Sequence, residues 1–309
     1  MTNEINYSTP THQIEKLKQQ SLIINDESFA IKQLQTYGYF NLIKSYRDPY
    51  TINVDGNIVY RSGVTFEQIY SLYVLDKNLR NAVINSMLDL EVHLKAVTAD
   101  VLAQSFGLAP ESYLKFRNFR DKKKSKNRFS LNGILRSLNQ TLITDKDPIC
   151  HYRENHDIVP PWILMKSVYF STVVNFINLF KPNEQTMLAN ALYPSEITQI
   201  DDSELRSFML DTLFICLEYR NLAAHGGRTY NYICNSRFRR PPSLYVLHGP
   251  SEVRGFSQLV LLLSAFKYDG PYDHLINVLN REVDRHCSQY PEDITYLATI
   301  LNVNIVPKE

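Results

Sequence analysis

At 309 residues, 44% of them hydrophobic, the chain can fill one large domain or two average ones, and a folded globular protein is expected. Thirty-three Lys and Arg against 32 Asp and Glu leave a net charge of +1, so the molecule as a whole advertises no polyanion partner and any nucleic-acid surface has to be local. Cys150, Cys216, Cys234 and Cys287 lie far apart without a CxxC pair; this argues against a zinc site or a disulfide framework and fits a reducing cytoplasm.

Met1 to Pro10 is polar and lacks the apolar core of a signal sequence. Residues 11–22 and 28–37 then read as short amphipathic helices around Ile24-Asn25-Asp26-Glu27, with Asp26 or Ser28 as the cap of the second. Tyr37-Gly38-Tyr39-Phe40 and Lys44 to Tyr50 follow, an aromatic-rich entry read as core rather than catalysis. Asp55-Gly56-Asn57, set between Ile52, Val54, Ile58 and Val59, predicts a short β-hairpin. It is expected to be the one sheet.

Val64 to Phe106 contains no glycine or proline, and Thr65 with Gln68 spells a capping box; one long helix, or two joined at a kink, is expected. Tyr73, Arg80, Ile84, Met87, Glu91 and Leu94 share a face of it, so Glu91 sits among apolar neighbours and calls for a cation, with Arg220 a candidate. Asp76 and Arg80 are spaced for a local ion pair. A boundary is expected near residue 62, giving an N-terminal part over 1–62 and a helical domain over 63–309, or one continuous domain.

The strongest charge asymmetry is at residues 113–128. Lys115, Arg117, Arg120, Lys122, Lys123, Lys124, Lys126 and Arg128 stand against the single acid Asp121, with Tyr113, Phe116 and Phe119 interleaved. Such a stretch suits RNA phosphates, or it is a solvated loop between helices. After Asp147-Pro148-Ile149-Cys150-His151-Tyr152, the pair Pro160-Pro161 is expected to start a helix that carries Trp162 and runs towards Phe180, where Lys181-Pro182 stops it. His151 and His156 read as surface or structural residues.

A strongly apolar helical run over 208–222 ends in Arg220-Asn221-Leu222-Ala223-Ala224-His225-Gly226-Gly227, the glycines stopping it. Leu205, Met209, Cys216 and Leu217 form its core face, with Arg220 at the edge. Chemically, an arginine and a histidine at one helix end suit phosphodiester cleavage in RNA: an imidazole can take the proton of a 2′-hydroxyl or protonate the leaving 5′-oxygen, and a guanidinium can balance charge on the phosphorane, with no metal. The structural alternative pairs Arg220 with Glu218 or Asp211 and leaves His225 as a cap.

A second basic patch, Arg237, Arg239 and Arg240, follows closely. Helices are expected over 257–266, 272–285 and 291–301; the apolar run at Leu259 to Leu263 is too short to span a bilayer. There is no internal repeat, Gly-rich phosphate loop, HExxH or GxSxG.

The segment Arg220, Asn221, His225, Arg228, Tyr230 and Asn231 resembles the Abi-like (abortive infection, AbiD/AbiF type) proteins of bacteria, whose HEPN-type motif reads Arg-Asn-x3-His followed by an Arg and an aromatic-Asn pair. Asp76 to Arg80, Leu90-Glu91, His151-Tyr152 and Pro160-Pro161-Trp162 resemble further elements of that family. In the entry segment, Asn41-Leu42-Ile43 departs from the family's Arg-Leu-Ser, and Tyr169-Phe170-Ser171 departs from its usual Phe-Gly.

The resemblance implies a mainly α HEPN-like helical bundle with an N-terminal helical extension and one small hairpin. It also implies a metal-independent, cofactor-free endoribonuclease toxin of phage defence, leaving 2′,3′-cyclic phosphate and 5′-hydroxyl ends. Arg220 and His225 would be catalytic. Asn221 would fix their geometry, Glu91 would orient them, and Arg228, Tyr230 and Asn231 would hold RNA or a dimer partner. A cytoplasmic homodimer without membrane attachment, restrained by a small antitoxin RNA, completes the expectation. A non-catalytic RNA-binding or scaffold protein of HEPN-like fold is the alternative, and nucleotidylation of Tyr230 by a partner enzyme is a third reading.

Overall fold

The computed structural model describes residues 7–121, 129–236, 238 and 255–303. Within them the protein is mainly α-helical with one two-stranded antiparallel sheet, as expected from sequence. The chain divides into two compact units, one of Met1–Asn81, Arg228–Asn231 and Asn277–Glu309, the other of Ala82–Gly227 and Tyr232–Ile276.

In the first unit α1 (Pro10–Gln19) starts on Thr9, whose hydroxyl accepts from His12 N at 3.3 Å, and buries Ile14 and Leu17. Helix α2 (Glu27–Tyr37) is capped by Asp26, which accepts from Phe29 N at 2.9 Å; the Ser28 hydroxyl supports that cap instead of supplying it. Phe40–Lys44 forms a π-helical turn. Then β1 (Thr51–Val54) and β2 (Asn57–Tyr60) pair as a hairpin. Asn57, read as part of the turn, pairs with Val54 in the ladder. Only Asp55 and Gly56 make the turn, both with positive φ (50° and 83°), as a two-residue primed turn demands.

Helix α3 (Phe66–Phe106) runs unbroken for 41 residues, about 60 Å at the usual rise. No residue inside it lacks a donor or a side chain, and Gly107 ends it at φ +87°. The capping box is only half made. Thr65 Oγ1 accepts from Gln68 N at 3.0 Å, but the Gln68 amide does not turn back to the cap; it donates to Glu292 and Asp293. Carboxylates far along the chain, that of Asp293 buried, outcompete a local reciprocal bond.

The second unit contains α4 (Pro110–Tyr113), α5 (Leu131–Leu142), α6 (Ile149–His156), α7 (Pro161–Lys166), α8 (Phe170–Asn178), α9 (Pro182–Leu192), α10 (Ser195–Thr198), α11 (Asp202–Ala224) and α12 (Phe256–Ser264). The predicted helix from Pro161 towards Phe180 is two helices, broken at Ser167-Val168-Tyr169. Extended backbone at Tyr169 starts α8 afresh, and the break lets Val168 and Phe170 both be buried while Tyr169 points outward. Phe106, Phe119, Phe176 and Phe180 form one aromatic cluster, and Tyr193, Phe208 and Phe266 another. Helix α11 packs on α8, α9 and α12.

Helix α13 (Gly270–Cys287) and α14 (Ile294–Leu301) close the chain, the last part of α13 and all of α14 belonging to the first unit. Asp293, between them, accepts from Tyr50 OH at 2.7 Å and Gln68 Nε2 at 3.1 Å, and meets His286 Nε2 at 2.9 Å. Burial alone would raise its pKa, yet these bonds outweigh that and hold it below the ordinary value.

Candidate functional site

Helix α11 is built to deliver its last turn accurately. Asp201 caps its start, accepting from Ser203 N at 2.7 Å and Glu204 N at 3.3 Å. Leu205, Met209, Cys216 and Leu217 are buried along it, as their spacing predicts. At the far end His225 is the C-cap. Gly226 takes the left-handed conformation at φ +73°. Gly226 N donates to Ala223 O at 3.1 Å and Gly227 N to Leu222 O at 2.9 Å, the two bonds of a Schellman motif. Gly227 matters differently: a Cβ there would lie 2.3 Å from Leu222 Cδ1.

This end presents two uncommitted basic side chains. The His225 ring is exposed and makes no hydrogen bond or ion pair among the described residues. Arg220 is half-buried, and among the described residues its guanidinium makes only a long 3.4 Å contact to Asn221 Oδ1. The structural alternative for Arg220 through Glu218 is not realised, because Glu218 is already consumed. It accepts from Tyr232 OH (2.5 Å), Asn235 N (2.6 Å), Asn235 Nδ2 (3.0 Å), Ser236 N (3.0 Å) and Ser236 Oγ (2.7 Å). Partial burial opposes its ionisation, but these bonds win and bring its pKa down to about 2. Glu218 is therefore an anchor for residues 232–236, a role that nothing local in the sequence announces.

Glu91 does not reach for Arg220. It forms an ion pair with Lys95 at 2.7 Å, one turn further along α3, which satisfies the half-buried carboxylate locally.

Arg228–Asn231 belongs to the first unit and is organised by Asp76. That carboxylate is fully buried. Its Oδ1 accepts from Thr229 N (2.9 Å), Thr229 Oγ1 (2.6 Å) and Tyr230 N (2.9 Å), its Oδ2 from Tyr46 OH (2.5 Å), and Arg80 lies 3.7 Å away at the predicted spacing. Tyr230 is buried, stacked on Tyr46, with its hydroxyl 3.1 Å from that of Tyr296. Burial raises its pKa further from the physiological range. A ring so enclosed supports the segment rather than contacting RNA, and its hydroxyl is not presented for nucleotidylation. Arg228 Nη1 donates to the Ser45 carbonyl and lies 3.8 Å from Asp48, so it pins the turn after Phe40–Lys44. Asn231 is half-buried.

Of the basic segment, Lys115 and Arg117 are exposed. Arg120 is directed inward, its guanidinium donating to Asn178 O at 3.3 Å and Gln185 Oε1 at 3.1 Å, and burial lowers its pKa. It holds α8 and α9 and is not a phosphate ligand. Lys122, Lys123, Lys124, Lys126, Arg128, Arg237, Arg239 and Arg240 lie outside the described residues. His151 and His156 pack edge-on against one another and lie against Tyr152 at the surface of α6.

Fold and site together define a mainly α-helical protein that presents a half-buried arginine and an exposed histidine, with four residues between them, at the glycine-locked end of one long helix. The profile of the family described as Abi-like protein matches residues 32–231, well over half of the chain, and the protein belongs to that family. No curated protein and no solved structure matches it. Among the described residues no helix is long and apolar enough to cross a membrane, and no cluster of His, Cys, Asp or Glu could hold a metal ion.

Proposed function

We propose that this protein is a HEPN-type endoribonuclease acting as the toxin of a bacterial abortive-infection system. One observation carries the reading: at the end of α11 the exposed imidazole of His225 and the half-buried guanidinium of Arg220 have no carboxylate partner among the described residues, while the carboxylate two residues before Arg220 is saturated. A half-buried arginine left without a counter-charge is costly unless a ligand supplies one, and a scissile phosphate does.

In this mechanism His225 takes the proton from a ribose 2′-hydroxyl, or gives one to the departing 5′-oxygen. The 2′-oxygen bonds to phosphorus as the bond to the 5′-oxygen breaks, leaving a 2′,3′-cyclic phosphate and a 5′-hydroxyl. Arg220 balances the charge that develops on the phosphorane oxygens. The other Arg-x4-His spacing, Arg281 and His286, is spent on Glu282 and Asp293, so each chain supplies one such pair among the described residues, and acid and base together call for two copies in a homodimeric composite site. A small RNA bound to the basic segments is the proposed restraint. The Abi-like membership and the resemblance to HEPN nucleases support the reading; they suggest a reaction without metal.

The test compares wild type with His225→Ala on total RNA in EDTA, after bound RNA is stripped, reading the ends of any cut. Wild-type cleavage leaving cyclic phosphate ends, reduced about 10²–10⁴-fold by the substitution, is the expected result. Thermal stability of the variant should stay within about 0.5 kcal/mol, because the exposed ring makes no hydrogen bond or ion pair among the described residues. Salt-sensitive RNA binding without cleavage by either protein overturns it in favour of a non-catalytic RNA-binding protein.

A further inference from the structure

Away from the end of α11, the second unit carries two adjoining cavities of about 510 and 340 Å³ along α5. They follow from the helix's own geometry. Leu131, Ile134, Leu135 and Leu138 face the core, which leaves two neighbouring outward stripes. Gly133, Arg136, Ser137 and Gln140, at i, i+3, i+4 and i+7, line the smaller cavity; Arg136, Asn139, Gln140 and Ile143 line the larger. Arg136 and Gln140 therefore stand at the waist, common to both.

The two chambers differ in chemistry. In the smaller one no carboxylate lines the wall among the described residues. Arg136 and the hydroxyl-bearing Ser137, Ser171 and Thr172 line it together, the last two in the first turn of α8. Arg136 is exposed and makes no hydrogen bond or ion pair among the described residues. A guanidinium and several hydroxyls around one hollow are a phosphate's ligands. At its edge the Tyr169 ring is 79% exposed, an open face for stacking.

The larger chamber is walled mostly by Pro110, Leu142, Ile143, Ile158 and Val159, an apolar slot for a flat ring. Asn139 spends one amide proton on Leu135 O at 2.8 Å, and among the described residues its carbonyl and the whole Gln140 amide stay free, so base edges would find both donor and acceptor. Arg153 is tied to the Leu142 and Thr144 carbonyls and shapes the wall. Glu111 and Asp157 also line this chamber, which makes it unfit for a phosphate and sets the polarity of the pair.

We propose that the paired cavities on α5 form a nucleotide subsite that grips single-stranded RNA, the phosphate in the smaller chamber beside Arg136 and the attached base in the larger, with the neighbouring base stacked on Tyr169. The choice of RNA as carrier rests on the ribonuclease reading; the chamber chemistry does not. The subsite selects unpaired strands, since a base enters the slot only when it is unstacked.

The test measures binding of a labelled, uncleavable 2′-O-methyl RNA octamer to the full chain, with AMP as competitor. Arg136→Ala should weaken binding roughly tenfold or more, the loss of one charge-assisted contact, with unchanged circular dichroism and thermal melting. Arg136→Lys should recover part of it, and AMP should displace the octamer. Octamer binding unaltered in both Arg136→Ala and Thr172→Ala overturns the site even where His225-dependent cleavage is found. Arg136-dependent octamer binding by a wild type that cleaves nothing upholds the site while the nuclease reading falls. AMP bound without competition from the octamer overturns the assignment to a strand.

Discussion

Two halves of one twelve-residue stretch behave in opposite ways. Residues 228–231 are tied down almost completely: Asp76 takes three hydrogen bonds from Thr229 and Tyr230, Tyr230 is sealed between Tyr46 and Tyr296, and Arg228 closes on Ser45 and Asp48. Residues 220–225 have their backbone locked by the Schellman bonds, yet among the described residues the Arg220 and His225 side chains are left nearly without partners. A rigid backbone with idle basic side chains suits chemistry on a ligand, whereas buried, saturated polar groups suit support. The lesson is that a contiguous motif need not be a contiguous site, since Tyr230 is as much a part of the pattern as His225 and does a different job.

Breaking the tied half should cost most. Asp76→Ala leaves the Thr229 and Tyr230 amides and the Tyr46 hydroxyl as buried donors without an acceptor, and a loss of about 3–5 kcal/mol is expected in denaturant unfolding. A loss below about 1 kcal/mol would show that water or another acceptor substitutes and that the contrast is overdrawn.

Gly226→Ala attacks the locked backbone of the other half. Its φ of +73° penalises any residue with a Cβ, so a destabilisation of about 1–2 kcal/mol is expected, read by thermal unfolding. Misplacing His225 should lower RNA cleavage along with it; full activity in a destabilised protein would separate the cap from the site.

The smallest effect sharpens the boundary just after the motif. Glu218 titrates in the folded protein at about 2, below its ordinary 4.5, so it contributes stability that is complete above the higher value and lost as pH falls towards the lower. Amide exchange at Asn235 and Ser236 should therefore speed up between about pH 4.5 and 2, and Glu218→Gln should speed it at neutral pH. Protection unchanged across that range would mean that segment 232–236 is held by something else.

The sequence by itself determined what is decided within about four residues along the chain. Asp26 caps α2, Asp55-Gly56 forces the hairpin, the lack of Gly and Pro keeps α3 whole, and Gly226-Gly227 stops α11, because cap, turn and propensity energies depend on near neighbours. The mainly α class and the position of Arg220 and His225 at a helix end follow from those signals. Tertiary structure alone decided which partner each polar group takes. Gln68 left its own cap for Asp293, Arg120 turned inward to Gln185, Glu218 took Tyr232, Asn235 and Ser236, and Asp76 met Thr229 across 153 positions of sequence. Those choices are set by burial, where an unpaired donor or carboxylate is expensive and the nearest available partner in space is satisfied first, and distance in space is the one quantity that a linear spacing does not contain.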